Sequence, residues 1–123
     1  MKYISTDKAP AAIGPYSQAT VLGNMVFTSG QIAINPSTSQ IEAVTIEEQT
    51  VQVCENIKNL LEASGTSIEK VLKTTCFLKN MEDFAAFNEV YGKYFTSKPA
   101  RSCVAVKELP RNVLVEIDTI AEI

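Results

Sequence analysis

The sequence predicts an α+β fold: a mixed six-stranded sheet with two helices laid on one of its faces. Three observations point there. Apolar and polar residues alternate at the period of a strand across residues 25–29, 71–79, 101–106 and 113–121. Two other runs, opening at Ile46 and Phe84, repeat their apolar residues every three or four positions, the period of a helix. Each helical run stands between strands, and two successive strand–helix–strand units imply crossovers, right-handed by rule, that put both helices on the same side.

Taken in order, residues 1–6 read as a short strand, and Lys8 to Pro15 as a loop of small residues with two prolines that neither a helix nor a central strand tolerates. Residues 16–22 and 25–29 form a hairpin joined at Gly23-Asn24, a turn composition suited to positive φ. Asn35-Pro36 opens an exposed turn. Thr45-Ile46-Glu47-Glu48 matches a capping box, so the first helix starts there with Ile46, Val53, Ile57, Leu60 and Leu61 inward, and it stops at Ser64-Gly65. Residues 71–79 form the next strand, with Leu72, Thr74, Cys76 and Leu78 on one side. Asn80 is the expected N-cap of the second helix, whose stripe is Phe84, Phe87, Tyr91, Tyr94 and Phe95, with Asn88 beside it. Cys54 and Cys76 read as small core residues.

Composition narrows the chemistry. The 123 residues suffice for one domain, 1–123, with a core of its own. A net charge of −3 gives no electrostatic footprint for nucleic acid or an anionic membrane. No basic-then-apolar leader and no long apolar run stand in the sequence, so the expected location is cytoplasmic. The three cysteines are widely spaced, which disfavours a disulfide framework or a zinc cluster. There is no histidine. Proton chemistry must then come from carboxylates, Tyr, Cys, Lys or water.

The last quarter of the chain holds the most informative charges. Its two alternating runs flank a Pro-containing turn and read as a second hairpin. Placing the apolar sets Ser102, Val104, Val106 and Val113, Val115, Ile117, Ala121 on one face puts Arg101, Cys103 and Glu116 together on the other, with Leu114 and Ile120. On a partly apolar face, an arginine and a glutamate are either a salt bridge or a site. With both helices on the opposite side, this face is expected to be buried by further copies of the chain.

Gly14-Pro15-Tyr16-Ser17-Gln18-Ala19, Thr28-Ser29-Gly30-Gln31, Pro99-Ala100-Arg101-Ser102-Cys103-Val104 and Leu109-Pro110 before Val115-Glu116-Ile117 together resemble the RidA (YjgF/YER057c/UK114) family of reactive-intermediate deaminases, in order and over essentially the whole chain. The resemblance implies a chorismate-mutase-like α+β fold and a homotrimer with sites between subunits. It also implies cofactor-free hydrolysis of 2-imino acids, such as 2-iminobutanoate and 2-iminopropanoate, to 2-keto acids and ammonia. Carried over by position, Arg101 would grip the substrate carboxylate and Glu116 would activate water. Cys103 would help position water or the imine nitrogen, and Tyr16, Ser29, Gly30 and Asn88 would line the cleft. The segment Thr96-Ser97-Lys98 before Pro99 is shorter than in several members of that family. Two other readings of the same clefts are a non-catalytic metabolite-binding or chaperone-like trimer, and an endoribonuclease or translation inhibitor; the net charge and the missing histidine argue against the last.

Overall fold

Six strands and two helices follow one another as β1 (Lys2–Ile4), β2 (Ala19–Leu22), β3 (Met25–Thr28), α1 (Ile46–Ala63), β4 (Val71–Leu78), α2 (Phe84–Tyr94), β5 (Ala100–Ala105) and β6 (Val115–Glu122) in the computed structural model, which describes residues 1–123. They form one mixed sheet in the order β1-β2-β3-β6-β4-β5. Every neighbouring pair is antiparallel except β4 and β5. The α+β class with two helices holds.

Local chemistry explains most of the element ends. The β2–β3 turn closes on Gly23 at φ 59°, a left-handed value that costs glycine little. At the start of α1, Glu48 N–H donates to Thr45 Oγ1, while the Glu48 carboxylate accepts from the Thr45 N–H, which completes the capping box. The second helix starts later than its sequence suggests. Asn80 makes no side-chain cap bond, because Met81–Asp83 winds as a 3₁₀ turn closed by Asp83 N–H to the Asn80 carbonyl, and α2 proper begins at Phe84.

The core lies between the helices and one sheet face. Val53, Ile57, Leu60 and Leu61 of α1 and Phe87 and Phe95 in and after α2 pack on Val26, Cys76, Leu78, Val115, Ile117 and Ala121. Cys54 and Cys76 are both buried there, as free thiols. Leu72 departs from the expected alternation. A bulge between Val71 and Lys73 turns Val71 inward and leaves Leu72 exposed.

The expected hairpin between the last two strands does not form. β5 pairs with β4, and β6 inserts between β3 and β4, so β4 separates the two. The connection runs through a 3₁₀ turn at Pro110–Asn112, where Arg111 and Asn112 are both left-handed. Register then fixes the faces. Arg101 lies opposite Thr74 and Cys103 opposite Cys76, while Glu116 lies opposite Phe77. Thr74 and Phe77 are three residues apart on one strand, so their partners point to opposite sides. Arg101 and Cys103 therefore face the helices, and Glu116 faces the open side with Asp118 and Ile120. They cannot form a salt bridge within one chain. The open face also shows Tyr3, Leu22, Phe27 and Val104 to solvent, each more than two-fifths exposed.

Candidate functional site

The first cluster gathers where the chain leaves β3. Gln31 exchanges both backbone hydrogen bonds with Ile117, at 2.8 and 3.1 Å, which staples the segment after Gly30 to the start of β6. Gly30 needs its missing side chain here. A methyl at that position would come within 2.8 Å of the Glu116 Cδ, so the backbone and the carboxylate lie in direct contact. Tyr16, Ile13, Gly30, Pro110, Arg111 and Glu116 are among the residues lining the adjoining cleft, of about 320 Å³. Burial first, and the neighbouring Asp118 second, raise the Glu116 carboxyl above its ordinary value of 4.5. A carboxylate so placed can hold and return a proton nearer to neutral pH.

Ser29 is tied elsewhere. Its hydroxyl donates to the Ser17 carbonyl at 2.6 Å and its N–H to the Gln18 carbonyl at 2.9 Å, so it fastens the Tyr16 loop to the end of β3. Gln18 completes that fastening by donating to the Pro10 carbonyl at 2.8 Å while accepting from Thr6 N–H at 2.7 Å.

The second cluster surrounds Arg101 on the helix side. Nη1 donates to Asn88 Oδ1 at 2.7 Å, and the guanidinium carbon stands 5.4 Å from the Phe84 ring centre and 4.8 Å from that of Tyr91. Phe84, Asn88 and Tyr91 follow one another at four and three residues, so one stripe of α2 makes the whole cradle. Tyr91 is held in turn by a 2.7 Å bond between its hydroxyl and Thr74 Oγ1 on β4. Stacking of this kind contributes about 1 kcal/mol and, more usefully here, fixes the plane of the fork. Only one of the five guanidinium N–H groups is taken by Asn88, leaving the others free for an anion. Cys103 sits beside Arg101, its thiol pushed up by burial against the opposing pull of that cation. An acidic nucleophile is not what this environment makes.

Of the sequence-predicted residues, the chain thus brings Tyr16, Gly30 and Glu116 into one cluster and Arg101, Asn88 and Cys103 into another on the opposite sheet face. Asn88 acts here as a partner of Arg101. Sequence reasoning missed Phe84 and Tyr91 as site residues because an aromatic helix stripe usually means core, although the Asn88 set between them was a signal. It missed Arg111 altogether, since nothing local announces its left-handed turn. No group of three His, Cys, Asp or Glu side chains is arranged to hold a metal ion.

Residues 6–123 match the family model described as endoribonuclease L-PSP. The chain belongs to this family, also known as RidA/YjgF. Within it, the chain is 55% identical over 119 residues to a RutC family protein of Pyrococcus horikoshii, covering 96% of this chain and 94% of that one. It is 47% identical over 124 residues to the 2-iminobutanoate/2-iminopropanoate deaminase of Escherichia coli K12, covering 98% and 96%. Among solved structures, E. coli TdcF with bound serine matches at a TM-score of 0.95 and 43% identity, over 100% of this RidA/YjgF chain and 99% of its own.

Proposed function

We propose that this protein hydrolyses 2-imino acids, such as 2-iminobutanoate and 2-iminopropanoate, to 2-keto acids and ammonia without a cofactor. The observation that carries this reading is the Arg101 guanidinium, held flat by Phe84, Tyr91 and Asn88 with most of its donors uncommitted. A planar fork of that kind accepts a carboxylate through two parallel bonds and so orients the adjoining C=N carbon as well as binding it. The names of the E. coli deaminases and the serine bound by TdcF, an amino acid with the same carboxylate, support it.

Glu116 supplies the rest. Water adds to the C=N carbon as one of its protons passes through the Glu116 carboxylate to nitrogen, and the hydroxyl so formed then gives up its own proton to nitrogen by the same route as the C–N bond breaks, C=O forms and ammonia leaves. The raised carboxyl suits both steps. Cys103, through its backbone, helps place the water or the imine nitrogen, and Tyr16 and Gly30 close the cleft. Because Arg101 and Glu116 face opposite sides of the sheet, a small substrate meets both only if they come from different copies of the chain. The reading therefore includes a homotrimer with its sites between subunits and the open sheet face covered. No helix of the chain is long and apolar enough to cross a membrane, and a cytoplasmic location goes with the reading.

The test is keto-acid and ammonia release from 2-iminobutanoate generated in situ by an amino-acid oxidase. Acceleration over buffer by the wild type, lost in Arg101→Ala with far-UV circular dichroism unchanged, is the expected result. Binding of 2-oxobutanoate without any acceleration would instead favour a non-catalytic metabolite-binding protein. The endoribonuclease description of the family model gives the alternative of RNA cleavage. The net charge of −3 and the absence of histidine oppose it.

A further inference from the structure

We propose that Lys98 forms a second anion subsite in the groove that Arg101 lines, and that the chain accordingly takes 2-imino dicarboxylic acids as substrates. The proposal rests on the reading of Arg101 as the clamp for the carboxylate next to the imine.

The groove lies where α2 ends and β5 begins. Tyr91, Gly92, Phe95, Lys98, Pro99 and Arg101 line it, around a volume of about 340 Å³. Two of these are cations, and no carboxylate is among the lining residues. The partners of the Arg101 guanidinium, Asn88, Phe84 and Tyr91, are all neutral. Lys98 also borders a separate groove that includes Glu69 and Glu122; within this one the lining carries two cations and no carboxylate. The Glu116 cleft is different in kind, since it carries a carboxylate of its own and a single cation, Arg111.

The backbone holds Lys98 in an unusual way. Its φ is 55°, in the left-handed region that a long side chain seldom adopts, and its N–H donates to the Phe95 carbonyl at 3.2 Å in the turn that closes α2. Pro99 follows and stiffens the approach to Arg101, two residues on. The short Thr96-Ser97-Lys98 connection thereby sets Lys98 in the wall of the groove. The wall at Gly92 is open, since a methyl placed there would meet nothing within 4 Å. A substrate with one carboxylate on Arg101 and a second at the end of a one- or two-carbon side chain would bring both of its charges into this one groove, which Lys98 also lines. The chemistry is that already described: the C=N bond is replaced by C=O, the oxygen comes from water, and both hydrogens of that water leave on ammonia.

The test uses the whole protein and a matched pair of five-carbon 2-keto acids, 2-oxoglutarate and 2-oxopentanoate, which differ in a terminal carboxylate. Calorimetric titration is expected to show about tenfold tighter binding of 2-oxoglutarate by the wild type. Lys98→Asn keeps a residue that tolerates the left-handed turn and removes the charge. It should bring the two affinities within about twofold, and Lys98→Glu should reverse the preference. The ratio of turnover on imines made from glutamate and from norvaline should move in parallel. Equal affinities in the wild type, or a preference unmoved in both variants, would overturn the subsite and leave the Arg101 clamp standing. If neither keto acid binds the wild type, clamp and subsite fall together.

Discussion

Gly30 and Glu116 show how closely single residues constrain this site. With the Gly30 backbone against the carboxylate, Gly30→Ala must push Glu116 aside, because the new methyl would lie within 2.8 Å of Cδ. Imine hydrolysis should fall at least about tenfold, some 1.4 kcal/mol of activation free energy, in a protein whose circular dichroism is unchanged. The raised Glu116 carboxyl makes a separate prediction. Folded Glu116 keeps its proton to higher pH than it does in the unfolded chain, so the folded state binds more protons above the ordinary value of 4.5, and stability falls as pH rises through that window. Glu116→Gln cannot ionise. Its urea midpoint should exceed that of the wild type at pH 7, and the difference should vanish below about pH 4.5. A midpoint difference that grows toward acid would contradict the burial argument.

At the scale of elements, α1 is anchored by its reciprocal cap and α2 by packing. Removing the Thr45 hydroxyl exposes the Glu48 N–H and loosens the returning carboxylate, so Thr45→Ala should cost about 1 kcal/mol in denaturant unfolding without altering the site. That cap was legible because its signal is four residues long. The start of α2 was not. Asn80 has the right chemistry for a cap, yet the following turn tightened to 3₁₀, and no residue type in the segment announces the choice between a three- and a four-residue bond. The bulge at Leu72 is of the same kind. Alternation put Leu72 inward, and one inserted residue at the head of β4 reversed it.

The whole molecule carries both clusters but joins them nowhere. The proposed assembly closes that gap, and it makes a size prediction. Light scattering at micromolar concentration should give three times the 13.4 kDa chain mass. Phe27→Asp, which charges the exposed side of β3, should yield smaller particles that have lost imine hydrolysis. A wild type that runs as a clean monomer yet remains active would refute a site shared between copies. The sequence by itself determined the two helices, the crossovers and the β2–β3 hairpin, because each of these is written in local spacing. It did not determine which strand stands beside which. Parity assigns faces only within a known pair, and pairing β5 with β6 directly put Arg101 and Glu116 together. Tertiary structure placed β4 between them, because the crossover through α2 docks β5 on one edge of β4 and leaves the other edge's N–H and C=O groups to be satisfied by β6.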